Sequence, residues 1–233
     1  MKVSVIIPTL NEEKNITKTL KAIRAQKTDF EVEVIVADGE SEDKTVLLAR
    51  RYADKIVTER THTIAAGRQA GAMVAEGEIL VYTDADAIPE KDWLKNIVGA
   101  FKDKKVVGAY GWILPLKGGR LEVFLLKYLA LIVAYLASLI GFDYLAGSNM
   151  AIRKDAFDKV GGMNIHLTTG EDIDIIKRVR KLGKVVFVPQ AKVKYSMRRI
   201  RNWGYKKYLL FHTKNYFKMH FFNKSEEKYE PIR

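Results

Sequence analysis

Residues 79–86 read ILVYTDAD, a short apolar run that ends in two carboxylates separated by one alanine. A continuous apolar run of this length, bounded by polar residues, is typical of a strand buried on both faces of a parallel sheet. Ligands of such sheets bind at the carboxyl ends of the strands. We therefore predict a buried strand at residues 79–83, with Asp84 and Asp86 at the end where a ligand binds.

The first hundred residues alternate between strand and helix patterns. Strands are predicted at residues 3–7, 32–37 and 56–57, and helices at residues 15–25, 43–52 and 64–75. Strands separated by helices indicate a mostly parallel sheet that helices cover on both faces. This pattern predicts an α/β fold with a Rossmann-like, mixed but mostly parallel sheet, and a further helix that begins at Pro89.

Polar residues follow three of the predicted strands. They are PTLNEE at residues 8–13, DGESED at residues 38–43 and DAD at residues 84–86. Helix capping is one explanation, because Thr9 with Glu12 fits a capping box and Ser41 fits an N-cap followed by acids. Capping does not explain Asp38, which precedes its cap, nor the acidic pair at the third strand. These carboxylates are therefore candidates for ligand binding.

Asp84 and Asp86 are candidate ligands of a cation. On an extended segment the side chains of residues i and i+2 point the same way, so both carboxylates can address one hard cation. Mg²⁺ and Mn²⁺ suit such oxygen ligands, and Mg²⁺ typically takes further oxygens from water and substrate phosphates. The position at a strand exit favours a metal site over a purely structural role.

Four sequence blocks resemble glycosyltransferase family 2, whose members have the GT-A fold and use nucleotide-diphosphate sugars. The blocks are VSVIIPTLNE at residues 3–12, VADGESEDKT at 36–45, AGRQAG at 66–71, and LVYTDAD at 80–86 followed by Trp93-Leu94. Their order and spacing carry the resemblance, which extends over about the first 200 residues. The fold implied is a GT-A sheet flanked by helices.

The resemblance implies a donor site for a UDP- or GDP-linked sugar. Its substrate-binding residues would be Pro8, Leu10, Asn11, Glu12, Asp38, Arg68 and Asp84, and Asp86 would hold Mn²⁺ or Mg²⁺. In the family pattern Asp38 recognises the base, and Asp84 lies near the ribose. An aromatic residue often occupies the position of Leu10, so its absence leaves uridine and guanosine both open.

A second group of motifs is similar to the acceptor side of the same family. The motifs are GSNMAIR at residues 147–153, VGGM at 160–163 and TGED at 169–172. The resemblance makes Asp172 the general base, with Glu171 beside it, and places Gly147, Ser148 and Asn149 at the substrate. For Glu171, a capping box with Thr168 is an alternative explanation.

Asp172 has a clear chemical role in such an enzyme. An acceptor hydroxyl is a weak nucleophile until a positioned carboxylate takes its proton. A metal ion on the diphosphate stabilises the charge that develops on the leaving group. The beginning of a predicted helix would favour the ionised form of Asp172. We therefore expect an inverting, metal-dependent, hexosyltransferase-type enzyme that acts on an acceptor hydroxyl or phosphate.

The positive charge is concentrated in the last quarter of the chain. The net charge is +12, and residues 175–225 contain no Asp or Glu but 15 of the 40 Lys and Arg. This excess indicates an anionic partner, although a solvated basic face is an alternative. In RRIRNWG, residues 198–204, the pattern loosely resembles an element of processive relatives. Arg198, Arg201 and Trp203 are therefore further substrate-binding candidates.

A second apolar stretch occupies residues 123–142, where Lys127 is the one charged residue. As a helix, the 15 residues at 128–142, none of them charged, would be about 22 Å long, shorter than a hydrocarbon core of about 30 Å. A membrane span here would also separate Asp86 from Asp172, which the mechanism needs in one site. We predict no span, and leave open whether the stretch is buried or lies in a membrane interface.

The predicted organisation is a GT-A domain at residues 1–195 and a basic, aromatic C-terminal extension at residues 196–233, with helical structure. Within the domain, residues 1–100 form the nucleotide-sugar half and residues 101–195 the acceptor half. Aromatic and basic residues together favour an anionic lipid interface. We therefore predict peripheral association with the inner face of the cell membrane and a lipid-linked acceptor.

Several other classes are disfavoured. The chain has no cysteine, which excludes a disulfide scaffold and thiolate chemistry, and no secretion signal is recognisable, so a cytoplasmic location is expected. The loop at residues 8–13 contains no glycine, unlike the loops of nucleotidyltransferases and dinucleotide-dependent oxidoreductases. A nucleic-acid-binding module leaves the ordered carboxylates unexplained. A non-catalytic nucleotide-sugar or membrane-lipid binding protein on the same fold stays an alternative.

Overall fold

The computed structural model describes residues 1–116, 147–222 and 224–226. The apolar stretch at residues 123–142 lies outside these ranges, so the alternatives of burial and membrane-interface location stay open. The strands are β1 (Lys2–Thr9), β2 (Glu31–Asp38), β3 (Lys55–Thr58), β4 (Ile79–Tyr82), β5 (Ala87–Pro89), β6 (Val106–Pro115), β7 (Met150–Arg153) and β8 (Lys184–Tyr195). The α-helices are α1 (Ile16–Arg24), α2 (Thr45–Ala49), α3 (Ile64–Met73), α4 (Trp93–Gly99), α5 (Lys154–Lys159), α6 (Glu171–Val179), α7 (Arg198–Trp203) and α8 (Tyr205–Phe217).

Within the described residues, the strands form one mixed sheet in the order β3-β2-β1-β4-β7-β6-β8-β5. Strands β1 to β4 are mutually parallel, and β7 pairs antiparallel with both of its neighbours. Strand β8 runs parallel to β6, and β5 runs antiparallel to β8. Six strands therefore end at the same edge of the sheet, which confirms the predicted mostly parallel α/β architecture.

The two faces of the sheet carry separate hydrophobic clusters. Val5 and Ile7 of β1 pack with residues of α1 and α4, including Leu20 and Trp93. Ile6 points to the other face, where α3, α5 and α6 cover the sheet. Successive strand residues face opposite sides, and both sides are apolar, so these strands read as uninterrupted apolar runs.

Strand β4 lies between β1 and β7, and its four residues are fully buried. This confirms the strand predicted from the run at residue 79. The helix predicted to begin at Pro89 is wrong, because Ala87–Pro89 forms β5 and pairs with β8. The helix α4 begins only at Trp93. Pairing with a strand about a hundred residues later decides this local structure.

The C-terminal extension folds back onto the beginning of α6. Asn215 of α8 and Met219 in the turn of π-helix after it are 3% and 2% exposed. A Cβ on Gly170, the N-cap of α6, would lie 2.8 Å from Met219 Cγ and 3.0 Å from Asn215 Nδ2. The glycine, at φ 78°, therefore allows both a left-handed N-cap and close packing of the extension. Among the described helices, none is long and apolar enough to cross a membrane.

Candidate active site

The loops after β1 and β2 are joined by hydrogen bonds. The Asn11 N–H donates to Ser41 Oγ at 2.8 Å, and the Glu42 N–H donates to Asn11 Oδ1 at 2.8 Å. Ser41 in turn donates to Asp38 through its hydroxyl at 2.6 Å and its N–H at 2.9 Å. The capping explanation for Ser41 is therefore wrong, since α2 begins at Thr45 and Ser41 orients Asp38 instead.

Pro8 and Leu10 line the first of these loops. A Cβ on Gly67 of α3 would lie 3.0 Å from Pro8 Cβ, so α3 approaches the end of β1 closely. Leu10 is partly exposed beside Gly39, where a Cβ would lie 3.7 Å from the Leu10 side chain. The structure thus brings the exits of β1 and β2 together, as the sequence predicts, while the substrate contacts of both residues stay predictions.

Glu12 forms an ion pair and does not cap a helix. The helix α1 begins at Ile16, and the Thr9 hydroxyl lies 3.3 Å from the Ala37 carbonyl oxygen, away from any capping box. The carboxylate of Glu12 accepts from the Asn15 side chain at 2.8 Å and from the guanidinium of Arg198. Its side chain is only 8% exposed, so this ion pair is largely shielded from water.

Arg68 joins the donor-side and acceptor-side carboxylates. Its guanidinium donates through Nη2 to Asp84 Oδ1 at 3.0 Å and through Nη1 to Glu171 Oε1. The residue is 2% exposed, and Gly147 lies directly against the guanidinium, where any Cβ would clash. The predicted position of Arg68 beside the nucleotide is therefore replaced by a buried position between two carboxylates. This bridge sets the distance between the β4 exit and α6.

Glu171 begins α6 and is held by Arg68. The residue is 5% exposed, and burial raises the pKa of its carboxyl, which Arg68 opposes and Asp172 reinforces. Gly170 is the N-cap, with no side-chain cap bond, so the predicted capping box with Thr168 is also wrong. Its carboxylate is paired with Arg68, and the catalytic role predicted for Glu171 from the sequence stays a prediction.

Asp172 is the partly exposed member of the Glu-Asp pair. Its Oδ2 accepts the Gly147 N–H at 2.7 Å, and its Oδ1 accepts the Ile173 N–H at 2.9 Å. Burial raises the pKa of Asp172, although Arg68 and both backbone donors favour the ionised form. The N–H of Ile173 at the helix N-terminus lowers the pKa of Asp172 as predicted, but burial outweighs it and the pKa is raised. A carboxylate of raised pKa is the stronger base when it is ionised.

The predicted substrate residues at 147–149 form a turn of 3-10 helix before β7. Gly147 supplies the backbone N–H that holds Asp172, and Ser148 is 5% exposed. Asn149 is 1% exposed, and its amide is used within the protein. It accepts from Trp93 Nε1 at 2.8 Å and donates to the carbonyl oxygens of Trp112 and Ala191, both at 2.9 Å. The prediction that Asn149 binds substrate is therefore wrong, because these bonds fix β7 against its neighbours.

Asp84 and Asp86 do not address the same cation. The chain turns after Thr83, so Asp84 pairs with Arg68 while Asp86 Oδ2 lies 3.1 Å from Arg198 Nε. Burial raises the pKa of Asp86 to about 7; Arg198 lowers it, and Asp84 and Glu12 raise it. The described residues contain no group of three or more His, Cys, Asp or Glu that could hold a metal ion.

The residues present nevertheless suit a hard cation. The guanidinium of Arg198 stands between the carboxylates of Glu12 and Asp86, so one positive charge already occupies this place. Carboxylate oxygens are the ligands that Mg²⁺ and Mn²⁺ prefer. The prediction that Asp86 holds a metal thus fits the chemistry of its surroundings, with Arg198 as the cation now bound there.

Arg201 and Trp203 belong to the surface of the extension. Arg201 is exposed, and Trp203 packs edge-on against Phe211 at 5.2 Å between ring centroids. The Lys207 ammonium lies 5.0 Å from the Trp203 ring. A cavity of about 550 Å³ is lined by Trp203, Lys206, Lys207, Leu210, Phe211, Lys214 and Glu226. The predicted substrate contacts of Arg201 and Trp203 stay predictions.

A sequence model of glycosyl transferase family 2 matches residues 4–161, about two thirds of the chain. The chain belongs to glycosyl transferase family 2. This match confirms the family resemblance and includes the exits of β1, β2 and β4 that build the site. Asp172 and the extension lie beyond the matched residues, so their roles rest on the geometry described above.

Known glycosyltransferases are similar in sequence to much of this chain. Glycosyltransferase AglE of Haloferax volcanii is 29% identical over 192 residues, which are 78% of this chain and 62% of AglE. The dolichyl N-acetyl-alpha-D-glucosaminyl phosphate 3-beta-D-2,3-diacetamido-2,3-dideoxy-beta-D-glucuronosyltransferase of Methanococcus voltae is 32% identical over 124 residues, 48% of this chain and 39% of the relative. The chain thus spans less than two thirds of the length of each of these relatives.

A solved structure of the family confirms the GT-A fold. The mannosyltransferase PcManGT from Pyrobaculum calidifontis, in complex with GDP-Man and Mn²⁺, superposes with a TM-score of 0.73 at 21% identity. The match covers 96% of this chain and 65% of PcManGT. At this level of identity, the similarity establishes the shared architecture of the two proteins.

Proposed function

We propose that the chain transfers a sugar from a UDP- or GDP-linked donor to an acceptor, with inversion at the anomeric carbon and with help from Mn²⁺ or Mg²⁺. The observation that carries this proposal is the buried bridge through Arg68. It holds Asp84 of the β4 exit and Glu171 of α6 on one guanidinium. The residues of the donor half and the Glu-Asp pair of the acceptor half therefore line one site.

The donor side of the proposed site is formed by the exits of β1, β2 and β4. Asp38, oriented by Ser41, is placed at the end of β2 to accept a hydrogen bond from a nucleotide base. Asp86 would hold the divalent cation, since its carboxylate already binds a positive group. When bound, the cation would supply charge stabilisation to the leaving diphosphate. The complex of PcManGT with GDP-Man and Mn²⁺ supports the use of a divalent cation together with a nucleotide-sugar donor.

The acceptor side depends on Asp172. The backbone N–H of Gly147 fixes one of its oxygens at 2.7 Å and orients the carboxylate before the acceptor arrives. As general base, Asp172 takes the proton from the acceptor hydroxyl while that oxygen attacks the anomeric carbon. A single base on the face opposite the leaving nucleotide gives one displacement, and therefore inversion of configuration. An acceptor phosphate would already be ionised and would need Asp172 less.

The exposed face of α8 supports a lipid-linked acceptor at an anionic membrane surface. Leu209, Leu210 and Phe217 are 67%, 61% and 53% exposed, and Lys206 and Lys207 are exposed on the same helix. Apolar side chains with basic neighbours are typical of helices that lie in a membrane interface. The Methanococcus voltae relative is named for a dolichyl N-acetyl-alpha-D-glucosaminyl phosphate, which supports the same acceptor class.

Turnover of labelled UDP- and GDP-sugars, in the presence of a polyprenyl-phosphate-linked monosaccharide that offers a free sugar hydroxyl, tests the proposed activity. We expect one nucleotide class to be consumed with Mn²⁺ or Mg²⁺, activity to fall at least a hundredfold in EDTA, and proton NMR to show an inverted anomeric configuration. A retained configuration would contradict Asp172 as the sole base. Donor binding without any consumption would favour the non-catalytic binding protein instead.

Sedimentation with vesicles that contain phosphatidylglycerol tests membrane association. We expect the parent protein to sediment with them, and a variant with Leu209→Ser, Leu210→Ser and Phe217→Ser to lose at least tenfold in affinity. Leu47→Ser and Met73→Ser are matched controls, because these side chains are 60% and 75% exposed on the catalytic domain. Failure of the parent protein to bind such vesicles would rule out this part of the proposal.

A further inference from the structure

Arg198 is bound more completely than a surface arginine requires. Its Nε lies 3.1 Å from Asp86 Oδ2, its Nη1 lies 3.2 Å from Glu12 Oε2, and its Nη2 donates to the second oxygen of Glu12. The side chains of both acids are nearly buried, at 8% and 10% exposure. All three guanidinium nitrogens thus bind two shielded carboxylates, so the one positive charge of Arg198 offsets half of their combined negative charge and occupies their oxygens.

A divalent cation and the guanidinium compete for this place. With Arg198 present, a divalent cation would meet only one uncompensated negative charge on the two acids, and the guanidinium would repel the cation at short range with little water to screen the two. Without Arg198, the carboxylates of Glu12 and Asp86 would carry two uncompensated negative charges, which a divalent cation balances. The structure therefore makes Arg198 and the cation alternative partners of Asp86.

The part of the C-terminal extension that follows Arg198 packs against the beginning of α6. Helix α7 begins at Arg198, and the residues that follow α7 place Asn215 and Met219 against Gly170, directly before Glu171 and Asp172. The C-terminal extension therefore contacts both the donor-side acids and the beginning of α6. A donor diphosphate is an anion that offers the guanidinium another partner when it leaves the acids.

We propose that Arg198 closes the cation position at Asp86 until the donor arrives, so that the divalent cation binds together with the donor and not before it. This inference rests on the proposed function, and it makes Arg198 a positioning residue that sets the order of binding. It predicts that the empty protein has low affinity for Mn²⁺, and that the nucleotide diphosphate removes this barrier.

Electron paramagnetic resonance of free Mn²⁺ tests the proposal without any turnover. In the absence of nucleotide, Arg198→Gln should bind Mn²⁺ at least tenfold more tightly than the parent protein, and Arg198→Lys should lie between them. The addition of UDP or GDP should tighten Mn²⁺ binding at least tenfold in the parent protein but less than threefold in Arg198→Gln. Arg50→Gln, which removes an exposed arginine at the end of α2, should match the parent protein.

Two further measurements keep the result interpretable. Circular dichroism melting confirms that Arg198→Gln is folded, and Asp86→Asn in the same background should abolish the gain in Mn²⁺ affinity. Equal or weaker Mn²⁺ binding by Arg198→Gln in the absence of nucleotide would overturn the proposal, even if metal-dependent turnover is observed. The proposed function fails separately, when no UDP- or GDP-sugar is consumed under any metal condition.

Discussion

Arg68 is the side chain on which the structure of the site depends most. Its charge is buried and shared between Asp84 and Glu171, and Gly147 packs against it without room for a side chain. Such a bridge is not strong evidence of net stabilisation, because burying the charges of Arg68 and Glu171 is costly. Removal of Arg68 is different, since it leaves the carboxylate of Glu171 buried without its partner.

Arg68→Met keeps much of the side-chain volume and removes the charge. We expect the free energy of unfolding to fall by about 3 kcal/mol or more, because Glu171 is left buried without its partner. Urea denaturation followed by circular dichroism measures this loss, with Arg50→Met as the control for an exposed arginine. A loss below about 1 kcal/mol, the scale of an exposed ion pair, would contradict the bridge.

Asn149 separates a structural role from a substrate-binding role. Asn149→Ala removes three hydrogen bonds and leaves the Trp93 N–H and two carbonyl oxygens unpaired in the core. We expect a loss of about 2–4 kcal/mol in unfolding free energy. The Kd for the donor nucleotide, measured below the melting temperature, should change less than threefold. A large change in donor affinity at unchanged stability would restore the substrate contact predicted from the sequence.

For single residues, the sequence predicts which side chains belong to the site better than it predicts which groups those side chains contact. The acids at residues 38, 84, 86 and 172 are recognisable because each follows a strand or opens a helix. Their partners are not, since Glu12 and Arg198 are 186 residues apart and nothing local connects them. The Gly147 N–H that orients Asp172 also has no sequence signal, because a backbone donor is the same at every position.

Among the secondary-structure elements, the buried parallel strands can be predicted from the sequence, whereas the antiparallel strand β5 cannot. Strands β1, β2 and β4 are buried on both faces, so their composition alone reveals them. Strand β5 has three residues and exists because β8 pairs with it, which is why a helix at Pro89 is the wrong prediction. Helix α6 is predicted correctly, and its buried apolar residues are Ile175, Ile176 and Val179.

Helix α8 should respond to acid through His212. Burial, together with the nearby charge of Arg199, lowers the pKa of His212 to about 4, so the folded protein keeps this ring neutral above that pH. The unfolded chain takes up the proton below about pH 6.5, and the folded protein does so only near pH 4. Stability is therefore full above pH 6.5 and falls as the pH decreases toward 4, by up to about 3 kcal/mol.

His212→Gln removes this titration and isolates its contribution. Urea denaturation at pH 7, 6, 5 and 4 should show that the parent protein loses more stability than the variant, with the difference growing below pH 6.5. The other titrating groups are common to both proteins and cancel in the comparison. Parallel stability curves for the two proteins would contradict a buried, neutral His212 and the packing of α8 around it.

In the molecule as a whole, the mixed sheet brings distant parts of the chain to one edge. The first four strands carry the donor-side acids, while Asp172 follows after β7 and reaches the site from α6. The antiparallel strand β7 makes this possible, since it enters the sheet beside β4 with residues 147–149 at the functional edge. The family match confirms this architecture, whereas the C-terminal extension lies outside it.

The variant Asp172→Asn tests most directly whether the donor half binds the nucleotide sugar while Asp172 of the acceptor half acts as the base. The donor Kd, from isothermal titration with Mn²⁺, and kcat should be measured on the same preparation, with Asp86→Asn in parallel. For Asp172→Asn we expect the donor Kd to stay within threefold of the parent value while kcat falls at least a hundredfold. For Asp86→Asn, donor affinity itself should fall. An Asp172→Asn protein that turns over at the parent rate, or that loses donor binding instead, would contradict a site in which Asp172 faces the sugar as the base.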